Sequence, residues 1–313
     1  MSAATYNNNP ERRAKARIVY DVRKYDKERD IMALEGLYFK FNMNNHTSGQ
    51  VFSTKYSMLI VGPDDTPYSG GFYFFKAQFP DQYPFLPMKM KTMTQGENIR
   101  KHPNLYTSGK CCFSFLGTWP GPPWTACQNP YTVGMSMRSV LTKNPIINEP
   151  GWEKINDGRT KMYEELVSYF NLRWAVVNIM ENINTPLYSD FKKDIEENFI
   201  KNYPKYLKQL ESIYHHNNKT IKSPVYSFTI ELKLDYVWMK LTELYNQLVP
   251  GSIKITGTAI KTKKARKSPK EKASCFEEGT IKIGLDKREW ISKKYDSGRF
   301  RWILNKKPTS ISV

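Results

Sequence analysis

Four runs of strand-type residues follow one another early in the chain, Gly36 to Phe41, Lys55 to Val61, Gly71 to Phe79 and Met88 to Met93. Turn signals such as His46-Thr47-Ser48-Gly49 and Gly62-Pro63-Asp64-Asp65-Thr66-Pro67 separate them. Connections this short cannot carry a crossover helix, so the runs imply an antiparallel meander. In the third run Phe72, Phe74 and Phe79 cannot all share one face of a regular strand, which calls for a sheet covered on both faces or for a bulge.

Helical patterns flank the sheet. Asn9-Pro10-Glu11 supplies a cap, a first-turn proline and an early acid, predicting a helix from about Glu11 to Tyr25 with Ala14, Ile18 and Val22 on its core face. Asn129-Pro130 starts another, with Val133, Met137, Val140 and Leu141 as its apolar stripe. A further helix begins near Arg159 and turns Met162, Leu166, Phe170, Trp174 and Val177 inward. The next starts near Ser189, carries Phe191, Ile195 and Phe199, and is interrupted by Pro204. The last spans Glu231 to Val249, where Leu234, Trp238, Leu241, Tyr245 and Leu248 alternate by three and four. The fold class is therefore α+β: an N-terminal helix, a four-stranded antiparallel meander, a loop region, then several helices.

At 313 residues the length allows two domains. The expected division is a flexible start at 1–10, a core at 11–183, a helical extension at 184–250, a basic linker at 251–272 and a small segment at 273–313. Within that last segment Thr280 to Leu285 reads as a strand, and Trp290, Tyr295, Phe300, Trp302 and Ile303 as packing residues. The formal charge of +18 favours acidic partners, and the run Lys261 to Lys272 has the composition of a nuclear localisation or nucleic-acid patch as well as of a solvated linker. It holds no aromatic residue, so base stacking is not expected there. Met1 to Pro10 has no apolar h-region and no stretch reaches about 18 apolar residues, so an intracellular chain, in cytoplasm or nucleus and without a membrane partner, is expected.

Four cysteines do not make a disulfide scaffold in a chain of this length, and none of His46, His102, His215 and His216 stands at zinc-ligand spacing from them. No metal and no cofactor are expected. Attention falls instead on the stretch from His102 to Trp152. His102-Pro103-Asn104 precedes the adjacent pair Cys111-Cys112, which follows Gly109-Lys110. A thiol after such a turn, with a side-chain amide a short loop upstream, is a candidate nucleophile facing a fixed hydrogen-bond donor.

These residues resemble the ubiquitin-conjugating enzymes. The resemblance covers roughly Glu11 to Leu141 and continues more weakly through Tyr169. It is carried by Ile60-Val61-Gly62-Pro63, Thr66-Pro67-Tyr68-Ser69-Gly70-Gly71, Phe79-Pro80, Tyr83-Pro84, His102-Pro103-Asn104 and Cys112-Phe113-Ser114. Leu116-Gly117-Thr118-Trp119, Gly121-Pro122, Trp124 and Asn148-Glu149-Pro150-Gly151 are similar to a large subgroup with extra helices after the core.

The resemblance implies a thiol that takes ubiquitin, or a ubiquitin-like protein, from an activating enzyme as a thioester and passes it to a substrate lysine or a ligase. Within the family pattern the nucleophile stands eight residues after the asparagine, which selects Cys112 and leaves Cys111 as a small core side chain. By the same resemblance Asn104 either supports the oxyanion of aminolysis or orders the loop. Asn148 and Glu149 are candidates for positioning the incoming lysine, against capping the turn before Pro150. His102 is expected to be structural rather than a general base for Cys112. Arg12, Arg13, Lys15 and Arg17 match the first helix that docks the activating enzyme, with a solvated face as the plain alternative. Phe85, Trp124, Thr125 and Ala126 match the two loops that ligases grip, although Thr125-Ala126-Cys127 and Met88 depart from the family pattern. Trp119 and Trp124 read equally as core residues. Alternatives to the enzyme are an inactive scaffold of the same fold and a cysteine hydrolase built on Cys112 and His102.

Overall fold

The computed structural model describes residues 10–44, 51–250, 268–269, 271–284, 287–295 and 297–305. The expected cap Asn9, the turn His46-Thr47-Ser48-Gly49, most of the basic run 261–272 and Leu285 lie outside the described residues.

Helix α1 runs Pro10–Leu34, nine residues beyond the expected Tyr25. No helix breaker stands in Asp26-Lys27-Glu28-Arg29-Asp30, and Met32 re-enters the core after them. The stop comes at Gly36, whose φ of +70 is the left-handed conformation that closes a helix. Ala14, Ile18, Val22 and Tyr25 are buried, and α1 packs against the first strand.

Strands β1 (Leu37–Asn44), β2 (Val51–Val61), β3 (Phe72–Gln78) and β4 (Lys89–Thr92) form one antiparallel sheet in sequential order. Its register runs Leu37↔Ile60 at one end of β1 and Val61↔Phe72 at the start of β3. The aromatic run in β3 is resolved by burial on both faces, since Phe72, Tyr73, Phe74 and Phe75 are all inside and the β2–β3 register is continuous. The irregularity lies elsewhere, between Phe41 and Met43 of β1.

Helix α2 (Pro130–Ser139) starts at the predicted cap: Asn129 Oδ1 accepts from the Thr132 N–H and Thr132 Oγ1 accepts from the Asn129 N–H, both at 3.0 Å. Helix α3 (Gly158–Phe170) does not end where its first regular stretch does. It continues through a wide turn, Asn171–Val177, into α4 (Asn178–Glu181). That turn shifts the helical phase, so Leu172, Ala175 and Val176 are buried while Trp174, expected inside, is only half-buried.

Helix α5 (Lys192–Ile213) corrects a second expectation, because Pro204 lies inside it and does not interrupt it. An interior proline costs about 3 kcal/mol. Burial of Ile195, Phe199, Tyr203, Tyr206, Leu210 and Ile213 on both sides of it outweighs that, at roughly 1.5–3 kcal/mol per large apolar side chain. The helix expected from Glu231 begins later, as α6 (Leu234–Leu248), since Glu231 ends a short hairpin of β5 (Thr220–Lys222) and β6 (Thr229–Glu231).

Helix α5 is fastened to the turn that carries part of the family resemblance. Tyr206 Oη donates to Gly70 O and Gln209 Nε2 to Pro67 O, each at 2.8 Å, and Lys205 Nζ pairs with Asp64 at 2.6 Å. A Cβ at Gly70 would lie 2.8 Å from the Tyr206 ring, so the approach requires glycine there. Residues Met1–Lys254 form one compact unit and Ile255–Val313 a second. In the second unit β7 (Ile281–Ile283), β8 (Glu289–Lys294) and β9 (Phe300–Leu304) make an antiparallel sheet, with Trp302 packed beside Phe276 at 5.6 Å. No helix of the described residues is long and apolar enough to cross a membrane.

Candidate active site

The loop after β4 folds on itself through backbone hydrogen bonds, Leu105 N–H to His102 O, Tyr106 N–H to Lys110 O and Cys112 N–H to Asn104 O. Asn104 closes the loop from the other side, its Nδ2 donating to the Cys112 carbonyl at 2.7 Å. Asn104 and Cys112 thus hold each other by a pair of opposed hydrogen bonds. The geometry at hand is that of loop support. Asn104 Oδ1 is buried with no hydrogen-bond partner.

The two cysteines separate by surroundings rather than by exposure. Cys111 Sγ faces the interior, 3.9 Å from Gly109 O, and burial pushes its thiol up to about 12 against the pull of nearby Lys101. Cys112 lines a pocket of about 80 Å³ together with Asn104, Asn148 and Glu149. Its Sγ lies 3.2 Å from Thr118 O, and Thr118 Oγ1 donates to Cys111 O, so the Thr118 turn braces the loop from outside.

His102 is fully buried and both ring nitrogens are engaged. Nδ1 accepts from the Asn104 N–H at 3.0 Å, which leaves the proton on Nε2 to donate to Val140 O, also at 3.0 Å. Burial lowers its pKa to about 3, so the ring is neutral and committed to the fold. A Cys112–His102 hydrolase pair is excluded by these contacts.

Glu149 does more than cap a turn. Its Oε2 accepts from the Tyr226 hydroxyl at 2.5 Å, and Tyr226 belongs to the loop between β5 and β6, 77 residues away. Burial, and then this hydrogen bond, keep Tyr226 protonated. The Arg100 guanidinium lies 4.6 Å from the Tyr226 ring and 3.6 Å from that of Tyr106, and its Nη2 donates to Pro103 O at 2.6 Å. Asn148 Nδ2 donates to Pro145 O at 3.2 Å. The helical extension therefore touches two lining residues of the Cys112 pocket, Glu149 and Arg100, through Tyr226. Sequence reasoning passed over Arg100, Tyr106 and Tyr226; the only local sign was Pro224 in a short loop between two strand-like fragments.

The expected partner surfaces divide. Arg12, Arg13 and Lys15 are exposed on α1, with Lys15 paired to Glu11 at 2.7 Å. Arg17 requires correction: it is bound to Asp21 at 3.0 Å, donates to Ala126 O and Gln128 O at 2.8 and 3.1 Å, and lies 5.6 Å from the Tyr83 ring. It welds α1 to the 126–128 loop because a planar donor fork fits several acceptors at once. Phe85 is 65% exposed and Thr125 is exposed, while Trp124 is half-buried with Nε1 donating to Pro84 O at 2.7 Å, which joins the two loops. Trp119 is 48% exposed and is not a core residue.

A helix on a four-stranded meander, followed by a thiol braced by an asparagine beside a pocket, is the arrangement that the resemblance to ubiquitin-conjugating enzymes implies. Residues 39–171 match the family described as ubiquitin-conjugating enzyme. It is similar to ubiquitin-conjugating enzyme E2 Z of Homo sapiens, 39% identical over 173 residues, which cover 55% of this chain and 49% of that one. It is also similar to probable ubiquitin-conjugating enzyme protein 17 of Caenorhabditis elegans, 36% identical over 165 residues covering 50% and 22% of the two chains. The dual E2 ubiquitin-conjugating enzyme/E3 ubiquitin-protein ligase BIRC6 of Homo sapiens is 35% identical over 170 residues, 49% of this chain and 3% of its own. The chain thus spans about half the length of the E2 Z relative.

Proposed function

We propose that the chain accepts ubiquitin or a ubiquitin-like protein from an activating enzyme as a thioester on Cys112 and delivers it to a substrate lysine or to a ligase. The observation that carries this is the gathering of Cys112, Asn104, Asn148 and Glu149 around one pocket. In the first step the Cys112 sulfur, having lost its proton, attacks the thioester carbonyl and the activating enzyme's thiolate leaves. In the second an uncharged lysine amine attacks the Cys112 thioester, an isopeptide bond forms, the nitrogen gives up a proton to solvent and the Cys112 thiolate departs. Asn104 supports both steps by fixing the loop that carries Cys112. Glu149 and Asn148 orient the amine, and the Tyr226 hydrogen bond sets where the Glu149 carboxylate points.

Arg12, Arg13 and Lys15 present the charge for the activating enzyme, while Phe85, Trp124, Thr125 and Ala126 form the ligase surface. Incubation with activating enzyme, ATP and ubiquitin, followed by a non-reducing gel, tests the reading. A thiol-sensitive adduct is expected, and its absence with ubiquitin and with ubiquitin-like proteins would overturn it.

Tyr226→Phe removes only the hydroxyl that restrains Glu149. It is expected to leave thioester formation at the parental rate, to slow discharge onto free lysine by up to about 100-fold through misplacement of the carboxylate, and to lower folding stability by about 1.5–3 kcal/mol. Single-turnover discharge assays check this, and an unchanged lysine rate would remove Glu149 from the lysine path.

A further inference from the structure

Two of the four histidines, His215 and His216, are consecutive and occupy the short turn Tyr214–His216 that follows α5. Both Nε2 atoms face one carboxylate, Glu165 of α3. His216 Nε2 lies 2.8 Å from Oε2 and His215 Nε2 lies 3.7 Å from Oε1. The imidazole centroids are 4.0 Å apart, and one ligand atom from each of the three residues falls within 4.8 Å of the others. A four-coordinate ion with bonds of about 2.0–2.2 Å holds its ligand atoms roughly 3.4 Å apart. The two His–Glu separations, 3.7 and 2.8 Å, bracket that value, and the two imidazole ligand atoms lie within 4.8 Å of each other.

An ion pair alone accounts for half of this arrangement. The Glu165–His216 contact is an ordinary charge-assisted hydrogen bond. His215 at 3.7 Å is beyond hydrogen-bond range, and a second imidazole held against the first adds repulsion whenever both are protonated. A shared cation removes the conflict, since each neutral imidazole then offers a lone pair and the carboxylate an oxygen.

The surroundings hold the turn in place. Tyr214 donates its hydroxyl to Asp235, and Asn217 Nδ2 donates to the same carboxylate at 2.7 Å. Asn217 Oδ1 in turn accepts from the Leu234 and Asp235 N–H groups at 2.9 and 3.2 Å, anchoring the turn to the start of α6. Glu165 and His215 also line a pocket of about 640 Å³, which gives an ion an entry path and room for water ligands. Carboxylates and lysines line that pocket in equal number, and Lys205 is neutralised by Asp64 at 2.6 Å.

We propose that Glu165, His215 and His216 bind one divalent transition-metal ion, clamping α3 to the end of α5. Two imidazoles and a carboxylate suit zinc, nickel or copper rather than magnesium or calcium. Zinc is the probe. The full chain, reduced and freed of metal by chelator, is titrated with zinc by calorimetry beside His215→Ala and Glu165→Gln, with the cysteines common to all three. One saturable site is expected in the parent, weakened at least about 10-fold in each variant. Zinc at 100 times the parent's Kd should raise the parent's unfolding temperature by about 5–10 °C and that of His215→Ala by no more than about half as much. His215 is 56% exposed, so its removal leaves the fold intact. Equal zinc affinity and equal thermal shift in parent and His215→Ala would overturn the proposal, as would a parent with no zinc site sensitive to either substitution.

Discussion

Cys112→Ala is expected to abolish the thiol-sensitive ubiquitin adduct, while Cys111→Ala still forms it. The contrast is sharp because the two residues are neighbours in sequence and nearly equal in exposure, yet their sulfurs occupy different environments. Cys111 Sγ is directed at Gly109 O inside the loop, and burial keeps its thiol protonated far above neutral pH. A thioester there would have to place a polypeptide C-terminus inside the protein. Cys112 borders the pocket, and its backbone is pinned on both sides by Asn104. Cys112→Ser should trap a hydroxide-sensitive oxyester instead of the thioester, or charge not at all. Cys111→Ala carries a packing cost of about 1–2 kcal/mol for its small buried side chain, visible as a lowered unfolding temperature without loss of charging. A reducible adduct on the Cys112→Ala variant would sink the assignment.

The sequence carried the sheet well because its signals are local. Short turns enforce an antiparallel meander, and Asn129-Pro130 with Thr132 caps α2 as a self-contained unit. Expectations failed where distant contacts decide. Pro204 reads as a stop, but the apolar face that spans it is buried along its whole length. The hairpin 220–222 with 229–231 has strands of three residues, too short to show alternation. The site was legible in the same uneven way. Cys112, Asn104 and Glu149 came from resemblance, and the structure brings them to one pocket. Tyr226, on which the Glu149 carboxylate rests, is 77 residues away, and no spacing rule connects them. Arg17 was read as a surface charge because sequence gives type and periodicity, not the Ala126 and Gln128 carbonyls that bind it.

Asn171→Leu is expected to cost about 3–5 kcal/mol of folding stability, the range for breaking a buried hydrogen-bond network. Asn171 begins the wide helical turn and has no solvent exposure. Its Oδ1 accepts from the Tyr73 hydroxyl at 2.7 Å, and its Nδ2 donates to Ser69 O and to Gln209 Oε1, both at 3.0 Å. One amide thus joins β3, the Thr66–Gly71 turn and α5, through both of its N–H groups and its oxygen. Leucine keeps the volume but leaves these partners unpaired in the interior, where each costs about 1–3 kcal/mol. Gly71 explains why the network is tight: a Cβ there would sit 1.8 Å from Asn171 Oδ1. Gly71→Ala should therefore be as damaging as losing the amide, and for the same reason. If so, the two lesions are not independent. In Asn171→Ala the space opposite residue 71 is vacated, so Gly71→Ala should cost less there than in the parent by about 1–3 kcal/mol. Urea unfolding of the four proteins measures this coupling. Strict additivity, or a loss below about 1 kcal/mol for Asn171→Leu, would show that the Asn171 amide does not help hold the helical extension to the sheet.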